Sequence, residues 1–180
     1  MTAATPLSAL GATLAIAAAG ALASAPATAP AQVGQAAAVK RITASGVGGV
    51  RLGKTYRRLR RQHLVGRIRQ GCELAGPNAR SARLRAPLQG SVDFTPTSPR
   101  RVTNITVRGG ATARGVGIGG TIPQIKAAYP KAKVDHSTDA VFGVTLVRVP
   151  RTGGGPLRFA VDTTTHKVTL IGIPFIAFCE

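Results

Sequence analysis

Slid along itself until Gly49 lies on Gly115, the chain meets its own pattern twice without a gap. Gly49-Val50-Arg51-Leu52-Gly53-Lys54-Thr55 falls on Gly115-Val116-Gly117-Ile118-Gly119-Gly120-Thr121, and Arg101-Val102-Thr103-Asn104-Ile105 falls on Lys167-Val168-Thr169-Leu170-Ile171. Two matches at one offset are harder to obtain by chance than one, and self-similarity at a fixed period is an architectural signal before it is a functional one. Two copies of that period place a lead-in at 32–45, a first unit at 46–111 and a second at 112–180, in one compact domain or two closely packed ones.

Each unit opens on a helix signal. Thr121 supplies a side-chain acceptor for first-turn amides, Gln124 completes a capping box, and Pro123 is tolerated because those amides have no intrahelical partner. Ile122, Ile125 and Tyr129 then recur on one apolar face, and Pro130 ends the helix. In the first unit Thr55 starts a segment in which Tyr56, Leu59 and His63 hold the equivalent positions. His63 is therefore expected to be packed and partly buried like Tyr129, not catalytic or metal-binding. The other face carries Arg57, Arg58, Arg60 and Arg61, a solvated basic stripe and the candidate anion-binding residues.

After each helix the apolar period changes from 3.6 to 2. Ala82 to Ala86, Ser91 to Phe94 and Arg101 to Arg108 read as strands in the first unit. Phe142 to Arg148, Leu157 to Val161 and Lys167 to Ile173 do so in the second. A short helix followed by an antiparallel meander, twice over, is an α+β fold with helices on one face of sheet.

The first forty residues differ in kind: 17 are Ala, and the first basic side chain is Lys40. Leu7 to Ala23 is apolar and small, followed by small-residue sites of the sort a signal peptidase reads, so residues 1–31 are expected to be a signal peptide. The cleavage position falls within 23–31, with a cut after Ala31 preferred because earlier sites put Pro26 or Pro30 just past the bond. The alternative is an uncleaved anchor, but Ala contributes little in hydrocarbon and Ser8, Gly11, Thr13 and Gly20 interrupt a barely spanning run. The expectation is a secreted or envelope protein with no integral span in its mature chain.

The 24 Lys and Arg against 6 Asp and Glu give a formal net charge of +18, which excludes an acidic, calcium-coordinating surface. Residues 40–114 hold 17 basic and 2 acidic side chains, whereas 115–180 hold 7 and 4, so the first unit carries the field. The partners this balance suggests are a protein or an anionic envelope polymer, with non-specific nucleic-acid binding as a by-product. The excess of Arg over Lys suits bidentate carboxylate or phosphate contacts, and it is also what a GC-rich coding bias produces. Two Cys and three His exclude multi-cysteine zinc modules and iron–sulfur ferredoxins.

The pattern Leu52-Gly53-x-Thr55 and Ile118-Gly119-x-Thr121 entering a short helix, with strands after it, resembles the tandem units of the beta-lactamase inhibitory proteins. One unit is also similar to small outer-membrane assembly lipoproteins. The likeness covers residues 46–180 and implies an α+β fold and a binding role. No inhibitory residue carries over, because no matching contact motif is present, and the lipid-accepting cysteine has no counterpart.

Gly48 to Thr55 also satisfies G-x-x-x-x-G-K-T, in which Gly48 and Gly53 shape a phosphate loop, Lys54 reaches the terminal phosphates and Thr55 the magnesium. That is the alternative reading, a nucleotide-binding protein. Against it, such a loop joins a buried parallel strand to a long helix, Val39 to Ser45 is a weak and partly charged strand, and the second unit has Gly120 where the first has Lys54. Gly115-x-Gly117-x-x-Gly120 with Asp139 downstream imitates a dinucleotide fingerprint, but the repeat explains its glycines as a turn. No catalytic constellation, metal site or cofactor is indicated, so a non-enzymatic binding protein is the reading retained.

Cys72 and Cys179 are the only cysteines, and export to an oxidising compartment would pair them. In the chain-entropy picture a loop of this size contributes about 4–5 kcal/mol. Mass spectrometry of the exported protein without reductant is expected to find no free thiol and a Cys72–Cys179 crosslinked peptide. Two alkylatable thiols would remove both the bond and much of the case for export.

Overall fold

The computed structural model of the chain describes residues 39–150 and 155–178. The expected signal peptide, half of the lead-in and Cys179 lie outside the described residues. The chain divides into two units, 1–35 and 36–180, and all described residues belong to the second.

In chain order the first half contributes β1 (Lys40–Thr43), β2 (Gly46–Val47), β3 (Val50–Arg51), α1 (Tyr56–Arg61), β4 (Val65–Gln70), β5 (Arg80–Leu84), β6 (Gln89–Phe94) and β7 (Val102–Gly109). The second half contributes β8 (Ala111–Thr112), α2 (Ile122–Ala128), β9 (Lys133–Asp135), α3 (Asp139–Phe142), β10 (Val144–Val149), β11 (Leu157–Asp162) and β12 (Val168–Ile173). With 44% strand and 15% helix the fold is α+β and mostly sheet.

Eight strands form one antiparallel sheet in the order β4-β5-β6-β7-β12-β11-β10-β9. Its middle is the β7–β12 pair, where Ile105 lies opposite Ile173, Thr106 opposite Gly172 and Val107 opposite Ile171. A smaller sheet, β3-β2-β1-β8, joins β1 to β8 in parallel and is otherwise antiparallel. Two backbone clasps recur at the offset of the sequence repeat. Gly53 N–H donates to Val102 O at 2.8 Å and Val102 N–H to Lys54 O at 2.9 Å, while Gly119 N–H donates to Val168 O and Val168 N–H to Gly120 O, both at 2.8 Å.

α1, α2 and the small sheet bury their apolar side chains in one core with one face of the large sheet: Leu59 from α1, Ile125 from α2, Val50 from β3 and Val92, Ile105, Phe159 and Ile171 from the large sheet are all fully enclosed. Such enclosure follows from sequence alternation, each strand sending every second side chain to that face. Thr55 and Thr121 both cap as their sequence indicates. The Thr55 hydroxyl oxygen accepts from Arg58 N–H, and Thr121 with Gln124 makes a full capping box.

His63 departs from expectation. It is exposed, at φ 55°. α1 ends at Arg61, and the chain then closes a Schellman motif in which His63 N–H donates to Arg60 O at 3.1 Å and Leu64 N–H to Leu59 O at 3.0 Å. His63 occupies the left-handed position of that motif, so its side chain leaves the core and Leu64 packs there instead. Tyr129 cannot do the same because Pro130 follows it, and the residue before a proline is kept out of helical conformations. Two edge strands fall outside the sequence expectation: β4, whose bulge between Val65 and Ile68 breaks the two-residue period, and β9, which is only Lys133–Asp135. Phe142 ends α3 and does not begin a strand.

Leu59→Ala and Ile125→Ala are each expected to destabilise the protein by about 2–5 kcal/mol, whereas Arg57→Ala should stay within about 0.5 kcal/mol. Urea unfolding followed by circular dichroism measures all three.

Candidate functional site

The phosphate-loop geometry is absent around Gly48 to Thr55. Gly48 (φ 52°) and Gly49 (φ 93°) make the turn of the antiparallel β2–β3 hairpin, and the helix that follows is only Tyr56–Arg61. The amides that would cradle a phosphate are already used: Gly53 N–H bonds Val102 O, Lys54 N–H bonds Arg51 O at 3.2 Å, and Tyr56 N–H bonds Arg100 O at 2.8 Å. What is left is a depression of about 410 Å³ bordered by Lys54, Arg58 and Arg101.

Arg57, Arg58 and Arg61 are exposed as expected. Arg60 is half-buried, because its guanidinium turns inward and donates to Val65 O at 3.2 Å. The stripe is therefore three arginines wide. Cys72 follows β4, just before a single 3₁₀ turn at Glu73–Ala75, and is not a free thiol.

The feature that sequence reading missed lies on the face of the large sheet turned away from α1 and α2. After β12 the chain reverses at Pro174 and runs back over that face as a strap, 174–178. Gly172 permits this, since a Cβ there would collide with the Phe175 carbonyl oxygen and the Ile176 side chain. Ile176 packs with Leu146, Ala160 and Leu170, and Phe178 stacks on Phe142 with ring centroids 4.6 Å apart.

Beneath the strap sits Asn104, fully buried on β7. Its Oδ1 accepts from Phe175 N–H at 3.2 Å, and its Nδ2 donates to Asp93 Oδ2 at 3.0 Å and to Thr106 Oγ1 at 3.4 Å. The amide thus ties strap to sheet. Burial raises the Asp93 carboxyl above its ordinary value of 3.8, with the Asn104 bond partly opposing it.

Beside the strap runs an apolar groove of about 470 Å³ whose walls include Leu74, Phe94, Phe142, Phe175 and Phe178, four of the five phenylalanines in the chain. Leu74 is 83% exposed, and Phe142 and Phe175 are 47% and 40% exposed. Across the same face one line of register partners reads Lys133, Arg148, Arg158, Gly172, Thr106, Ser91 and Arg83. Cations stand at both ends with small residues between. Arg148 pairs with Asp135, whose carboxyl is drawn down to about 2 by hydrogen bonds from Ser137 and then by Arg148. Arg158 Nε is buried without a hydrogen-bond partner among the described residues.

The signal for this site was present but local. Phe175, Ile176 and Phe178 are too apolar for a solvated tail, yet nothing near them in sequence names Leu74, Phe94 or Phe142 as neighbours.

No protein-family model, curated protein or solved structure matches the chain. Among the described residues no helix is long and apolar enough to cross a membrane, and no group of three or more His, Cys, Asp or Glu side chains is placed to hold a metal ion.

Asp93 binds its proton more tightly folded than unfolded, so its favourable contribution is complete below pH 3.8 and is lost as pH rises through the raised folded value. Asp93→Asn is therefore expected to become more stable relative to wild type as pH climbs from 3.8 through that window. Urea unfolding of both proteins at a series of pH values checks it; parallel profiles would show that Asp93 is not perturbed.

Proposed function

We propose that the protein is a non-enzymatic, exported binding protein built from two tandem units, which recognises a partner protein through the strap-crossed face of its large sheet. The observation that carries this reading is the groove with its four phenylalanines. Three of the five Phe of the chain, Phe142, Phe175 and Phe178, lie on this face, Phe94 reaches the groove from the main core, and Leu74, Phe142 and Phe175 are left in contact with water. Exposed aromatic and aliphatic anchors with an arginine beside them, here Arg80, are the composition of protein-binding hot spots.

Support for the tandem units comes from the paired clasps at the repeat offset, the two threonine caps, and a strand order in which β4 to β7 and β9 to β12 meet at β7–β12. A Cys72–Cys179 disulfide fits the same picture, since Ala177 and Phe178 border the same depression as Cys72. The bond would anchor the far end of the strap to the β4–β5 connection.

A second reading, contact with an anionic envelope polymer through Arg57, Arg58 and Arg61, is favoured by their exposure and by the absence of any acidic residue in the first turn of α1. The two readings separate by mutation. Phe142→Ser with Leu74→Ser should weaken capture of a partner from envelope extract by roughly thirtyfold or more, the loss of about 2 kcal/mol typical of a hot-spot anchor. Glutamate at positions 57, 58 and 61 should leave that capture unchanged while abolishing salt-sensitive binding to acidic polymer. Undiminished capture by the Phe142 and Leu74 variant would overturn the groove as the contact surface.

A further inference from the structure

A cavity of about 1010 Å³ lies away from the strap-crossed face. It opens between the small sheet and the turn after α2, with Ile42, Tyr129, Pro130 and Val149 among its walls. Three cations reach it from three separate elements: Arg41 on β1, Arg114 after β8 and Lys131 after α2. Among the described residues no carboxylate lines it.

Arg114 is the informative residue. It sits at φ 49°, a left-handed conformation that non-glycine residues adopt only at a cost of about 1–3 kcal/mol when the surroundings over-determine it. Its equivalent in the first unit, one residue before Gly49, is Gly48, at φ 52°. A turn that needed only this shape would be made more easily by glycine, as it is there. The guanidinium is also held in place: Nη1 donates to Ala128 O at 3.1 Å, and the group lies 5.0 Å from the centre of the Tyr129 ring, over its face.

The two halves of the chain differ at this place in a second way. A Cβ added to Gly49 would meet Leu64 Cδ1 at 3.2 Å, so Leu64 closes the space beside the first turn. At the matching turn of the second unit, a Cβ on Gly115 meets nothing within 4 Å, and Pro130 holds the position that corresponds to Leu64. One half fills the gap with an aliphatic side chain, while the other keeps it open and surrounds it with positive charge.

We propose that this cleft binds a small polyanion, a sugar- or polyol-sized molecule bearing at least two phosphate or carboxylate groups, with Arg114 as the preset guanidinium and Arg41 and Lys131 as the further cations. The volume is at the upper end of the usual range for small-molecule sites, roughly 300–1,000 Å³. A single monovalent anion would leave most of the charge uncompensated, and the guanidinium fork matches the oxygens of either group. This site stands independently of the partner-protein surface, with which its three cations share no residue.

Titration calorimetry on the full mature chain tests the proposal with three probes: fructose 1,6-bisphosphate, citrate and uncharged fructose. Saturable binding of the bisphosphate or of citrate, but not of fructose, is expected, and the tighter of the two identifies phosphate or carboxylate as the preferred group. Arg114→Gly should raise the Kd at least tenfold without lowering the melting temperature, because glycine relieves the backbone strain. Lys131→Gln should weaken binding in the same direction, and Arg57→Gln with Arg61→Gln should leave it unchanged. The proposal is overturned if neither anion binds, if the Arg57 and Arg61 variant loses as much affinity as the Arg114 variant, or if Arg114→Gly lowers the melting temperature and leaves affinity intact, the mark of a purely structural staple.

Discussion

The β7–β12 pair is the contact on which the rest of the architecture depends. Each half of the chain supplies four strands of the large sheet and one capped helix, and each of those helices has a single fully enclosed side chain, Leu59 or Ile125. Helices as short as α1 and α2 cannot hold themselves in water. They persist because Ile105, Val107, Ile171 and Ile173 along the central pair give both halves one continuous floor to pack on. Three register partners thus turn two marginal four-stranded pieces into one eight-stranded sheet with one core.

The same central pair sets up the opposite face. Gly172 and Thr106 face each other across it, and the absence of a side chain on Gly172 is what lets the strap descend onto the sheet. Asn104, on the same strand as Thr106, then meets the strap backbone. A buried amide must find partners or lose about 1–3 kcal/mol. Asn104 finds them in Phe175, Asp93 and Thr106, so the polar centre of this face locks the position of its apolar cover. With the strap held in this way, the groove beside it keeps its width and Phe142 keeps its stacking partner.

Charge is distributed to suit surfaces more than stability. Arg148 pairs with Asp135 and His136 hydrogen-bonds Asp139, and 6 acidic side chains are too few to neutralise 24 basic ones. Exposed charges of this kind act over about 8–10 Å at ordinary salt and govern association rate and partner choice more than fold. Arg60 and Arg114 behave differently, since each turns its guanidinium to a backbone carbonyl, Val65 O or Ala128 O, close to the end of a helix.

The amino-acid sequence by itself determined what depends on near neighbours. The threonine caps, the Gln124 capping box, the stop at Pro130 and the strands β5, β6, β7, β10, β11 and β12 were legible because each is decided within a few residues, by hydrogen bonding or by the two-residue period. Tertiary structure decided what depends on residues distant in the chain. Whether His63 enters the core was settled by a Schellman turn that hands its place to Leu64. Gly53 and Lys54 match a phosphate loop in spelling and Tyr56 follows it, yet their amides are taken by Val102, Arg51 and Arg100, two of them on a remote part of the chain. Leu74, Phe94, Phe142 and Phe178 became one groove, and Arg41, Arg114 and Lys131 one cleft, only when the sheets closed. Side-chain pattern specifies which face is buried, whereas a site is a convergence of remote side chains, and convergence is a property of the folded chain.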